Sequence, residues 1–425
     1  MAANTGRYRH SVTSLPGDAQ SPLRNEPEEA GGRRVLIMSV GAGNGHIRAA
    51  QALEQRFATD GRVTEVINCD VLQYTNKLFR NFYSKFYASL IKSAPNFLGW
   101  WYKTSDEPWR TDTMRHMIDR LNTQPLVRFI RDFDPHVTVC THFMPAGIIS
   151  HLIASGTLQA HLSIVVTDFD FHAMWLSRSF QRYFVALDET RAFLEMLGLP
   201  PERITVSGIP IDERFGLPLD RERALRRHDL SPELPTLLLS AGALGQDEAA
   251  FTVERLLALR HDVQVIVVCG RNTDLRQRIE GLTAERRQRY RVLGYTDEMH
   301  DWMKLSDLYI GKPGGLTSSE AVACGLPMCI VNPIPGQEER NADHLLENGI
   351  AIKCNEPGTL GFKLDRLLDD PARLHDMRQH ALRFARPNAA ATVVNTLLAD
   401  RLPPLALIRT KTAPALSGRR KKTPP

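Results

Sequence analysis

The sequence predicts an α/β protein of two doubly wound domains facing a cleft. Short apolar strands alternate with helical stretches in two successive series, the pattern of parallel sheets covered on both faces. The chain has 425 residues, 43% hydrophobic and 24% charged, which suits two folded domains of about 180 residues plus tails. In each series an apolar strand runs into a Gly-rich turn that opens a helix.

Residues 1–33 are rich in Pro, Gly, Ser and charge without periodicity, and are expected to form a disordered tail. The first series begins at Arg34 with VLIMSV, then HIRAAQALEQRF as a helix, VTEVIN, a long helical region, HVTVC, LSIVVTD, YFVAL and ITVSG, giving a first domain over 34–215. After Gly208 and Pro210 a charged connector leads to TLLLSAG and VQVIVVCG, which start a second domain over 216–400. Helical patterns near 371–400 close it, and 401–425 reads as a second disordered tail. Ligands are expected beyond the strand C-termini, in the cleft.

The net charge of +5 is a property of the C-terminal tail: 401–425 holds seven Lys and Arg and no acid, so the remainder stands at about −2. That distribution argues against a nucleic-acid-binding body and permits contact with an anionic membrane surface, a solvated terminus being the plainer alternative. The six cysteines form no CxxC pair and stand at no zinc spacing, so reduced packed thiols are expected and no metal site. No run reaches the roughly 18 apolar residues of a membrane-spanning helix, and the reading is a cytoplasmic protein, peripheral to a membrane at most.

The richest stretch is GKPGGLTSSEAVACGLPMCIVNPIPGQEERNAD, residues 311–343. It predicts a strand from Asp307 to Ile310, a helix starting near Thr317, a strand from Met328 to Val331, and a Pro-bounded loop carrying Gln337 and Glu338. The Gly314-Gly315 pair lets backbone N–H groups approach an anion, and the helix N-terminus at Thr317 adds positive dipole. That is a diphosphate cradle. Glu320, one turn further in, suits a ribose diol, and Gln337 and Glu338 suit sugar hydroxyls. An ordinary turn with solvated carboxylates is the plain alternative for any one of these features.

In the first series, VLIMSV enters GAGNGHIRAAQAL. A dinucleotide fingerprint would place its third Gly at His46, where a bulky side chain prevents close helix packing, so the dehydrogenase reading weakens. His46 is either a polar cap or a base for an acceptor hydroxyl. Further on, VVTDFDFHAMW places Asp168 and Asp170 at the spacing of a carboxylate metal pair, a reading set aside because the diphosphate cradle lies in the other half of the chain; buried, satisfied Asp168 and His172 are the alternative to a functional role. Between Asp70 and Asp106 no acidic residue occurs, while Phe79, Phe82, Phe86 and Leu90 recur at helical spacing among Lys and Arg, followed by Trp100 and Trp101. Such a segment is either an aromatic stripe packed in its own domain or an interfacial amphipathic helix with Phe82, Phe86, Trp100 and Trp101 as anchors.

The order strand, Gly-Gly, helix with internal Glu, strand, PIPGQEERNA resembles the donor half of GT-B glycosyltransferases, in the branch that holds MurG and the monogalactosyldiacylglycerol synthases. GAGNGHIRAAQAL, VTDFDFHAMW and ITVSGIPIDERF are similar to motifs of the diacylglycerol glycosyltransferases, and the resemblance spans residues 35 to about 385. It implies the GT-B fold of two Rossmann-like domains, with a last helix crossing back to the first domain. It also implies a metal-free, inverting transfer of glucose or galactose from UDP-glucose or UDP-galactose to diacylglycerol at the inner membrane surface. His46 would be the base, and Asp168, His172 and Trp175 would shape the acceptor side. Gly242 and Gly245 would back the phosphates, and Tyr295 and Thr296 would sit against uracil. The aromatic insert would capture the lipid. A MurG-like transfer of N-acetylglucosamine to a polyprenyl-linked acceptor, or a UDP-sugar 2-epimerase, would share the same cradle.

Overall fold

The computed structural model describes residues 12–13, 32–41, 44–74, 123–403 and 405–407. Phe82, Phe86, Trp100 and Trp101 lie outside them, as does the whole stretch 75–122.

After a short strand β1 (Val12–Thr13), the first domain runs β2 (Arg33–Ser39), α1 (Asn44–Ala58), β3 (Val63–Asp70), α2 (Gln124–Phe133), β4 (Val137–Cys140), α3 (Phe143–Ala154), β5 (Leu162–Val165), β6 (Ser179–Phe180), β7 (Arg182–Val185), α4 (Asp188–Met196) and β8 (Ile204–Val206). The second runs α5 (Arg221–Arg227), β9 (Thr236–Leu239), α6 (Gln246–Leu257), β10 (Gln264–Val268), α7 (Thr273–Leu282), β11 (Tyr290–Leu293), α8 (Met299–Leu305) and β12 (Leu308–Gly311). It continues through α9 (Gly315–Ala323), β13 (Met328–Val331), α10 (Gln337–Glu347), β14 (Ala351–Cys354), α11 (Leu360–Leu368), α12 (Pro371–Phe384), α13 (Ala389–Ala399) and β15 (Leu405–Leu407).

Each domain holds a six-stranded sheet, ordered β3-β2-β4-β5-β7-β8 in the first and β11-β10-β9-β12-β13-β14 in the second. Every pairing within the two sheets is parallel. Continuous apolar strands follow from double coverage: Val35 to Met38 are fully buried, as are Leu237 to Leu239. The chain order reverses between β2 and β4 in the first sheet and between β9 and β12 in the second. Such switch points leave a crevice at the strand C-termini, and these two crevices hold the Gly-rich turns.

The domains are tied by the last helix. Ala390, Val393, Val394 and Leu397 of α13 recur on one face and pack into the first-domain core with Val35, Ile37, Ala50 and Leu53. Where the chain returns, Arg386 lies against the outgoing connector: Gly208 has φ +83°, and a Cβ there would sit 2.5 Å from Arg386 Cβ. All six cysteines are free.

Local differences from the sequence reading have clear causes. The tails are not wholly without structure, because β1 pairs with β15 and β15 with β6 in a three-stranded antiparallel sheet. Helix α9 starts at Gly315, ahead of Thr317, since Gly314 takes the extended N-cap conformation. Gln337 and Glu338 belong to the first turn of α10 and not to a loop: Gly336 turns the chain at φ +96°, and its N–H donates to Glu339 Oε2 at 2.9 Å.

Candidate active site

His46 stands in the first turn of α1, beyond the C-terminus of β2, and is half-buried. Its Nδ1 is 3.1 Å from the Thr141 carbonyl, which follows β4, and 2.6 Å from Thr167 Oγ1. A carbonyl only accepts, so Nδ1 carries the proton and the neutral ring keeps its lone pair on Nε2. Burial pushes the His46 pKa down to about 4, against the bond to Thr141, which opposes the shift. Thr141 Oγ1 in turn donates to the His46 carbonyl at 3.0 Å, closing a clamp across the switch point. The result is an imidazole that is neutral at ordinary pH and fixed in the tautomer a base requires.

Two more rings enclose it. His142 lies edge-on at 4.6 Å and Trp175 at 6.3 Å between ring centroids. His142 and His172 are buried, and each accepts a backbone N–H at Nδ1, from Met144 at 3.0 Å and Met174 at 3.1 Å. His142 was missed by the sequence reading, as were Thr141 and Thr167. Only the trace of an N-cap before PAGIISHLIA pointed to His142, and nothing in one sequence links it to His46, 96 positions earlier.

Across the cleft, α9 presents its N-terminus. Gly314 at its N-cap has no side chain to cap the first amides, so these remain for an anion. The close approach is tightest at Gly315, where a Cβ would lie 2.4 Å from the Thr167 carbonyl. Glu320, one turn on, is buried, and burial lifts its pKa to about 7 against the nearby Arg48 guanidinium of α1. Glu338 is likewise raised by burial, while its Oε2 accepts the Ile334 N–H at 2.7 Å.

The segment proposed for the acceptor side meets the donor half directly. Gln337 Nε2 donates to Asp168 Oδ1, Asn341 Oδ1 accepts the Phe169 N–H at 3.2 Å, and Arg340 pairs with Asp170 at 2.8 Å. Burial pushes the Asp168 pKa up to about 6, opposed by the Gln337 bond. The two aspartates thus face different partners. Among the described residues no group of three or more His, Cys, Asp or Glu could hold a metal ion.

Gly242 lies in the turn after β9, packed so closely that a Cβ would be 2.8 Å from the Cys269 carbonyl oxygen. Gly245 is the N-cap of α6. Tyr295 is 53% exposed beyond β11, with the Arg271 guanidinium over one face of its ring at 5.0 Å from the centre. Thr296 Oγ1 accepts the Glu298 N–H at 3.1 Å and so shapes the turn that holds Tyr295. Asp70, at the end of the edge strand β3, accepts the Gly41 N–H at 3.0 Å and the Leu72 N–H at 2.9 Å, tying that strand end to the turn after β2.

Residues 46–211 match the family model described as Monogalactosyldiacylglycerol (MGDG) synthase, and 222–384 match Glycosyl transferases group 1. A processive diacylglycerol beta-glucosyltransferase of Bacillus cytotoxicus is 30% identical over 385 residues, covering 86% of this chain and 94% of its own. One of Bacillus cereus is 28% identical with the same coverage. Among solved structures, MurG of Acinetobacter baumannii superposes with a TM-score of 0.59 at 18% identity over 86% of this chain and 99% of that one. The UDP-GlcNAc 2-epimerase of Neisseria meningitidis reaches 0.55 at 12%, covering 86% and 100%. At those identities the likeness speaks for the GT-B fold. The full-length relatives speak for more, and the chain belongs to the family of the processive diacylglycerol beta-glucosyltransferases.

Proposed function

We propose that this enzyme transfers a hexose from a UDP-sugar to diacylglycerol, with inversion, at a cytoplasmic membrane surface. The observation that carries the reading is the pairing of a neutral, tautomer-fixed His46 with the uncapped N-terminus of α9 across one narrow cleft. His46 Nε2 takes the proton of the lipid hydroxyl as that oxygen attacks the anomeric carbon opposite the leaving diphosphate. The first amides of α9 and its dipole receive the charge that develops on the diphosphate. Glu320 holds the ribose diol, Gln337 and Glu338 address sugar hydroxyls, and Tyr295 offers its face to uracil. Asp168, His172 and Trp175 line the side from which the acceptor enters.

The relatives' names favour UDP-glucose over UDP-galactose as donor and add a processive step, in which the glycolipid product serves again as acceptor. Among the described residues no helix is long and apolar enough to cross a membrane. Membrane contact is assigned, from its composition, to the aromatic and cationic sequence between Asp70 and Asp106, which lies mostly outside the described residues.

The test is mass spectrometry of products from diacylglycerol liposomes incubated with UDP-glucose, UDP-galactose, UDP-glucuronate or UDP-N-acetylglucosamine. Mono- and dihexosyl diacylglycerol from UDP-glucose is the expected outcome. Free UDP or an epimerised sugar with no glycolipid would overturn the acceptor assignment and leave the cradle standing.

A further inference from the structure

Helix α10 meets the first domain along one face. Gln337, Arg340, Asn341 and His344 follow the i, i+3, i+4, i+7 spacing that puts side chains on a single stripe. Opposite them run three consecutive residues of the segment after β5. Asp168 accepts from Gln337, the Phe169 N–H donates to Asn341 while its ring lies 4.9 Å from that of His344, and Asp170 pairs with Arg340 at 2.8 Å. Each residue of the Asp-Phe-Asp strip therefore has its own partner on α10. The carboxylate of Asp170 is also oriented from its own side, since Oδ1 accepts the Phe171 N–H at 2.7 Å.

We propose that Asp170 and Arg340 are a positioning pair. They dock α10 on the Asp-Phe-Asp strip and so set the distance between the sugar-binding first turn of α10 and His46. The inference rests on the reading of Gln337 and Glu338 as sugar contacts. If a sugar hydroxyl takes over the amide of Gln337, the Gln337–Asp168 bond is given up on donor binding and cannot itself fix the docking. The Arg340–Asp170 pair lies one turn beyond the sugar and persists. Its two side chains are 34% and 47% exposed, a setting in which an ion pair adds little to stability and its geometric effect dominates. Reacting groups displaced by about 1 Å lose on the order of a hundredfold in rate, so partial undocking is expected to show in turnover before it shows in folding.

The test compares Asp170→Asn, Arg340→Gln and the exchanged pair D170R/R340D in the full-length enzyme. Each single variant is expected to lower kcat about tenfold, with the KM for UDP-glucose changed less than about threefold. A larger share of UDP-glucose should be hydrolysed without transfer, and amide hydrogen exchange at Phe169 should accelerate. The exchanged pair is expected to recover part of both kcat and exchange protection. Single variants with unchanged kcat, unchanged partition and unchanged Phe169 exchange would overturn the proposal and leave a solvated contact. Failure of the functional reading looks different: the wild-type enzyme would make no glycolipid, while Phe169 exchange would still respond to the variants.

Discussion

The two strand-to-helix junctions at the switch points present different groups to the cleft. Each follows the first strand at a switch point or its neighbour, each opens a helix, and the two helices meet near Gly45 and Leu316. The turn after β2 delivers a side chain, His46, held by the Thr141 carbonyl and the Thr167 hydroxyl. The turn after β12 delivers backbone, the uncapped amides of α9, with Glu320 buried behind them. Under the proposed function, one α/β device supplies a base in one sheet and an anion site in the other. The difference lies in one residue at the helix start and in what the opposite strand end presents to it.

The sharpest break of this comparison is His46→Ala. Loss of a general base removes about 10²–10⁴ in rate, and the cradle should remain, so glycolipid formation is expected to collapse while UDP affinity stays within about twofold. Calorimetric titration of UDP beside the transfer assay checks both. A parallel loss of UDP affinity would mean that the two turns are not chemically separate.

Neighbouring glycines sharpen it further. In Gly315→Ala the new methyl would lie 2.4 Å from the Thr167 carbonyl, so the start of α9 and the Thr167–Asp168 backbone must part. In Gly314→Ala the nearest outside atom is Glu338 Oε1 at 3.9 Å, and φ is −61°, open to any residue. Gly315→Ala is expected to lower kcat at least tenfold with UDP affinity largely kept, since closure is damaged and not the cradle. Gly314→Ala adds a methyl beside Glu338 at the N-cap of α9 and is expected to weaken UDP a few-fold at lower cost in turnover. Kinetics and UDP titration on both variants decide, and equal effects would erase the distinction.

How far the chain could be read without its fold follows the range of the interactions. Strand, turn and helix around Gly314-Gly315 were legible because each signal is local: apolar run, Gly pair, helix-forming residues. The crossing back of the last helix rests on resemblance alone, with no local signal in the sequence; the structure packs α13 against α1 and β2. What single-sequence reasoning missed is non-local. The clamp on His46 comes from residues 95 and 121 positions away, and the partners of Asp168 and Asp170 lie 169 and 170 positions away. The Asp-x-Asp spacing suggested a metal pair as its alternative reading, but side chains two apart on an irregular segment are free to diverge, and here each faces its own residue of α10. Helix α10 hid its start behind two prolines, because Gly336 at positive φ allows a helix to open directly after the turn.

The smallest expected effect compares the buried acid of one turn with the half-buried base of the other. In the fold His46 has a pKa near 4, below the ordinary 6.5, so the folded chain binds fewer protons between those values and this residue costs stability as pH falls through that window. Glu320 has a pKa near 7, above the ordinary 4.5, so the folded chain binds more protons and this residue costs stability as pH rises from 4.5 to 7. Each slope amounts to on the order of 1–3 kcal/mol over its window, and between about pH 4.5 and 6.5 the two oppose one another. Relative to the wild-type slope, His46→Asn should therefore tilt stability downward with rising pH, and Glu320→Gln should tilt it upward. Urea unfolding at pH 5 and pH 7 on the two variants reads the slopes. Tilts of the same sign would mean that one of the two groups is hydrated in solution, which the close contact of Gly315 with Thr167 does not allow while the cleft is shut.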